Sequence, residues 1–324
     1  MTHAPPRSAD LPPRDEDDLE ERLSRPTTRV LDALVAHPGD VVVVGAGGKM
    51  GPSLTAMVRR AVDRIGDGRR VYAVSRWNDR QAAERLTSIG VELVRANLLE
   101  PSDVARLPVA PNVIYMAGQK FGTSDVPSLT WMTNTVTPAL VADRYRGARI
   151  VAFSTGNVYA LSSVNAQASR EDDTLAPVGE YAASCLGRER VFEYAAQSHQ
   201  TLVSIIRLNY AVDLRYGVLV DIAQKVRDGV PVDVRMGYVN CIWQGDANAF
   251  AIEALAHCSA PPFVLNVTGE ERLSVRNVAL ELGRLLGREP QFRGSEQGDA
   301  LLSDTTRLQS LFGHPHLRTP QLLE

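Results

Sequence analysis

Apolar residues in this chain gather in short runs, and the stretches between them repeat every three or four positions. "DVVVVGAGG", "RRVYAVSR", "VELVRANL", "PNVIYMAG", "ARIVAFSTGNVY" and "TLVSIIRLNY" each carry a continuous apolar core of strand length. Between them, Met50 to about Ile65, "DRQAAERLTSIG", "VPSLTWMTNTVTPALVADRYRG" and "GEYAASCLGRERVFEYAAQSH" have helical spacing. Strands that are apolar on both faces, alternating with helices, predict a parallel sheet covered on both sides. With right-handed crossovers that is an α/β, doubly wound, Rossmann-like fold. "DEDDLEERLSRPTTRVLDALVAH" predicts helical material ahead of it, broken near Pro26. After about Asn209 the alternation loosens into short mixed elements. The expected division is residues 1–28 as a flexible tail and the start of a leading helix, 29–209 as a dinucleotide-binding domain, and 210–324 as a smaller substrate-binding region with elements returning to the main sheet.

Composition adds little to this picture and removes some alternatives. The chain has 324 residues, with 44% hydrophobic and 23% charged, as in ordinary globular proteins. A net charge of -3 and the lack of a basic stripe argue against a nucleic-acid partner. Three widely spaced cysteines and six histidines show no metal-ligand spacing, so no metal site is expected, and a reducing cytoplasm is the simplest setting. No apolar run approaches the ~18 residues of a membrane span. The Pro-rich, charged start of the chain has no apolar core, which excludes a secretory signal and predicts a disordered tail to about Pro13.

"GAGGKMG" ends the first strand and opens the first long helix, placing Gly45, Gly48 and Gly51 at GxxGxxG spacing. There glycines let backbone amides approach a pyrophosphate, and the helix N-terminus adds partial positive charge. A Walker A loop is excluded, because no glycine precedes Gly48-Lys49 at the required place. The second strand ends in Ser75 and Arg76 where an NAD enzyme commonly carries an acid for the ribose 2′-hydroxyl. A hydroxyl and a cation suit a 2′-phosphate, so NADP is favoured over NAD.

These motifs resemble the extended short-chain dehydrogenase/reductases, the NAD-dependent epimerase/dehydratase family, from about Val41 onward. The resemblance implies a cofactor site built from Gly45, Gly48, Lys49, Met50, Gly51, Ser75 and Arg76. Farther along the chain it adds Asn97 and Leu98, then Met116, Ala117 and Gly118 of "VIYMAG", and Asn134, Ser154, Tyr181 and Leu208. It implies Thr155, in "FSTGNVY", and Tyr181, in "EYAASC", as the catalytic hydroxyl pair. It further implies a homodimer in which helices near Pro127–Arg144 and Tyr181–His199 pair across subunits.

The family's active-site lysine, four residues after the tyrosine, is replaced here by Cys185. A phenol has a pKa of about 10, and a general base near pH 7 needs it lowered by about 3 units. A neutral thiol supplies no positive charge. Lys120, in "AGQKFG" at the C-terminal edge of the sheet, is the preferred substitute cation. Arg188, two turns along the helix from Tyr181, is the alternative. Gln119, Phe121, Asn209, Tyr210, Arg215, Asn240 and Trp243 are candidate substrate contacts. Arg215 suits either a substrate anion or a structural ion pair, and Trp243 either substrate or packing. The expected activity is hydride transfer on a sugar, possibly nucleotide-linked, as epimerase, dehydratase or oxidoreductase. The alternative is a cofactor-binding protein with little or no turnover.

Overall fold

The computed structural model describes residues 12–120 and 122–323. The tail expected up to Pro13 lies almost wholly outside the described residues, and so does Phe121.

Seven parallel strands form the central sheet: β1 (Val41–Val44), β2 (Val71–Ser75), β3 (Glu92–Arg95), β4 (Asn112–Tyr115), β5 (Arg149–Thr155), β6 (Leu202–Leu208) and β7 (Phe263–Val267). Their order is β7-β6-β5-β4-β1-β2-β3. The chain therefore winds outward in both directions from β1, which pairs with β2 on one side and β4 on the other (Val41 opposite Val71 and Asn112). Ligand clefts of such sheets open at that reversal, beyond the C-terminal ends of the strands.

The four valines of β1 show why the sequence reads as an uninterrupted apolar run. All are fully buried, but Val41 and Val43 enter one core and Val42 and Val44 the other. The first core is roofed by α2 (Thr28–Ala36), α3 (Gly51–Ile65), α10 (Gln244–Glu253) and α12 (Thr306–Phe312). The second is roofed mainly by α7 (Thr137–Arg144) and α8 (Gly179–His199). Thus β7, α10 and α12, all from beyond residue 210, complete the main domain.

The remaining C-terminal residues form a lobe in which α9 (Val218–Asp228) and α11 (Val275–Leu286) pack over two-residue strand pairs and a small core of their own. At the front of the chain, α1 (Glu16–Leu23) lays Leu19 and Leu23 against Trp243. Among the described residues no helix is long and apolar enough to cross a membrane.

Candidate active site

The glycine loop between β1 and α3 is shaped by what its glycines lack. Gly45 has φ +91°, and a Cβ there would stand 2.5 Å from the Ala117 backbone nitrogen. A Cβ on Gly51 would stand 2.3 Å from the Ala46 carbonyl oxygen. Side chains at either position would push β4 or the helix away. Helix α3 begins without a side-chain cap; the Gly51 N–H turns back to the Gly48 carbonyl (3.2 Å), and Pro52 has no N–H to satisfy.

A cleft of about 540 Å³ runs over this loop. It takes in Gly45 and Gly48 of the expected set, Ser75 and Arg76 past β2, Asn97 and Leu98 past β3, and Met116, Ala117, Gly118 and Gln119 past β4. Gly47, Asn78 and Thr133 line it as well, outside the expected set. Gly47 is the remaining glycine of the same loop, and a Cβ on it would stand 2.3 Å from the Ser75 hydroxyl. Thr133 is one residue from the expected Asn134, across a helical turn whose direction sequence spacing misjudges.

Thr155 closes β5 with its side chain buried, and its hydroxyl bonds both the Asn157 side chain (2.9 Å) and the Asn157 amide (3.2 Å). Tyr181 lies in the first turn of α8, close enough to Thr155 and to Cys185 for both to bear on its phenol. The expected hydroxyl pair is therefore brought together. Burial, and then the Cys185 thiol, push the phenol's pKa up; the Thr155 hydroxyl and the Arg188 guanidinium oppose the rise. Burial also raises the Cys185 thiol, opposed first by Arg188. Lys120 bears on Cys185 rather than on the phenol, and burial followed by the Lys49 ammonium holds it below the usual lysine range.

Several expected contacts are engaged elsewhere. Ser154 alternates to the opposite face of β5 from Thr155 and donates to the buried Glu189 carboxylate. Glu189 in turn pairs with Arg207 at 2.8 Å, so Ser154 belongs to an ion-pair network and not to the cofactor cleft. Asn134 is fully buried and grips the backbone of Gln119, accepting from its N–H (2.8 Å) and donating to its carbonyl (3.0 Å). It also donates to Ser184 (2.9 Å) and accepts from Arg188 (2.7 Å), which makes it a positioning hub.

Asn209 and Asn240 bond each other (2.9 Å), and each donates to a carbonyl of the 301–303 segment, pinning the lobe. Arg215 holds Asp213 and Glu20, the ion-pair alternative of its two readings. Trp243 packs on α1, the packing alternative. Tyr210 adopts φ +47° and packs against the lobe core. Lys49 stands over the Tyr216 ring, 4.5 Å from its centroid. Met50 and Leu208 pack against the main core, and neither lines the cleft. Among the described residues there is no cluster that could hold a metal ion.

A family model described as NAD dependent epimerase/dehydratase matches residues 41–212. No curated protein matches the sequence significantly. Among solved structures, a UDP-glucose 4-epimerase of Thermus thermophilus in complex with NAD is 20% identical with a TM-score of 0.70, covering 88% of this chain and 96% of that one. MoeE5 in complex with UDP-glucose and NAD is also 20% identical, with a TM-score of 0.69 over 88% of this chain and 95% of that one. A mutant UDP-glucuronic acid 4-epimerase from Bacillus cereus, in complex with a fluorinated UDP-sugar and NAD, is 14% identical with a TM-score of 0.72, covering 88% and 96%.

Proposed function

Because the chain belongs to the NAD dependent epimerase/dehydratase family, we propose that it oxidises a carbinol of a sugar or nucleotide sugar at the Thr155–Tyr181 pair. The observation that carries this reading is the approach of the Tyr181 phenol to Thr155, which is buried where β5 ends at the C-terminal edge of the sheet. The cradle fits a dinucleotide: side-chain-free approaches at Gly45 and Gly51, an uncapped α3, and a cleft that continues to Ser75 and Arg76. Bound there, the cofactor would supply the hydride acceptor. Tyr181 takes the proton from the substrate hydroxyl, and Thr155 holds the same oxygen in place. Gln119, its backbone clamped by Asn134, lines the cleft past β4.

Sugar chemistry is supported by the ligands of the similar structures, which are UDP-sugars. NADP is favoured over NAD because Ser75 and the exposed Arg76 line the cleft where a 2′-substituent would lie. Titration of NADP(H) and NAD(H) by fluorescence tests the cofactor, and failure to bind either would refute the proposal. A panel of UDP-sugars with NMR detection of inverted or dehydrated products tests the reaction. The rival reading, cofactor binding with little turnover, draws support from Cys185 and the raised Tyr181 phenol. A homodimer is also proposed. Leu129, Met132 and Val136 recur at helical spacing with 41%, 43% and 38% exposure, an apolar stripe that a partner subunit would cover. Light scattering showing only monomer would refute it.

A further inference from the structure

Resting on the reading of Tyr181 as the acid/base, we infer that Arg188 is the fixed positive charge of this active site. It is a positioning residue that acts on the Tyr181–Cys185 pair in place of a cation one turn after the tyrosine.

Tyr181, Cys185 and Arg188 fall at i, i+4 and i+7 of α8 and so share one helix face. Arg188 is only 5% exposed. Its Nη1 donates to the Phe153 carbonyl at 2.8 Å and its Nη2 to Asn134 Oδ1 at 2.7 Å. Both acceptors are neutral. Among the described residues no carboxylate pairs with it, and its Nε has no hydrogen-bond partner. Guanidinium stays protonated at any relevant pH, so this buried charge is neither lost nor cancelled. The neighbouring helix residue behaves oppositely: Glu189 is neutralised by Arg207.

The site is built to admit the guanidinium. A Cβ on Gly118 would stand 2.4 Å from Nη2, so a glycine at the end of β4 makes the space. The Tyr115 ring faces it, with its centroid 5.8 Å away. Asn134 is held by four hydrogen bonds, which fix its amide and aim Oδ1 at the arginine. The ionisable groups around the guanidinium are Tyr181 and Cys185 on α8, Tyr115 on β4, Lys120 after β4, and the paired Glu189. A fixed cation favours the deprotonated forms of the two tyrosines and the thiol. It thereby opposes part of the rise that burial imposes on the Tyr181 phenol, after the Thr155 hydroxyl.

The Cys185 thiol reports this field without cofactor or substrate. Protein labelled with 13Cβ-cysteine gives three resonances, that of Cys185 assigned by Cys185→Ser, and each is followed against pH. In Arg188→Gln the Cys185 midpoint is expected to rise by about one pH unit, a tenfold weaker acid. Arg188→Lys should restore most of the shift, and Cys241 and Cys258 should not move. Gly118→Ala, which displaces the guanidinium but keeps the residue, should move Cys185 in the same direction and decides the matter if Arg188→Gln does not fold. A Cys185 midpoint unchanged in the folded variants would overturn the inference. Failure of the wild type to bind either NADP(H) or NAD(H) would instead overturn the proposed function and leave this result standing.

Discussion

Two buried arginines, Arg188 on α8 and Arg207 on β6, are handled in opposite ways. Arg207 is surrounded by compensation: the Glu189 carboxylate, the Tyr159 hydroxyl and the Glu171 carbonyl all accept from it. Among the described residues, Arg188 donates to a carbonyl and an amide oxygen and to no carboxylate. The first arrangement cancels its charge locally and holds β6 to α8. The second leaves the charge projecting toward Tyr181 and Cys185. One buried guanidinium serves the scaffold, while the other keeps a field that chemistry can use.

Each prediction strains one side of this contrast. Tyr181→Phe should lower turnover by about 10²–10⁴-fold, the usual worth of a positioned acid/base, with the urea midpoint almost unmoved. Turnover within twofold of wild type would remove the active-site half of the contrast. Glu189→Ala should do the reverse. Leaving Arg207 buried without its carboxylate should cost about 3–5 kcal/mol in chemical denaturation, with the cofactor affinity of the folded fraction retained.

Glu253 supplies a third case, a buried carboxylate with no cation bonded to it among the described residues. Thr27 donates to it at 2.9 Å, its other oxygen has no partner, and burial pushes its pKa up to about 7. A carboxyl whose pKa is raised on folding favours the native state below its unfolded value, and the contribution fades as pH rises through about 7. Glu253→Gln should therefore stabilise by about 1–2 kcal/mol at pH 8 and change little at pH 4. The smallest effect is expected for Arg188→Met, a net stability change within about 1 kcal/mol. The lost hydrogen bonds are offset by no longer burying an uncompensated charge. A loss as large as that of Glu189→Ala would show that both arginines are structural.

The strands of the sheet and the glycine loop were legible because each rests on a local rule: apolar runs of strand length, and glycines where backbones must close up. Thr155 and Tyr181 were legible through order and spacing along the chain. Arg188 could be placed on the Tyr181 face by counting, but not sunk beneath Gly118, because its depth depends on an absent Cβ from another element. Asn134, Asn209, Asn240 and Arg215 illustrate the same limit. Asn209 and Asn240 read as substrate contacts, Asn134 as a cofactor contact through the resemblance, and Arg215 with an ion pair as its equal reading. Most of the partners that satisfy them come from other segments of the chain. Ser154 was misjudged because two adjacent strand residues cannot both face one cleft.

The helix that carries Asn134 contains a π turn, Met132–Val136, between the α-helical segments Pro127–Trp131 and Thr137–Arg144. Pro138 explains its place: it has no N–H to offer the Asn134 carbonyl, and its ring would press against that oxygen. A π turn holds one residue more than the α-helical path. Deleting Thr135 would let the helix close into α geometry and re-aim Asn134 relative to the segment beyond it. The clamp on Gln119 and the support under Arg188 would fail together. A one-residue length change is thus a sharper lesion here than most side-chain replacements, and the spacing from "WMTN" to Pro138 is a yardstick for which chains share this arrangement.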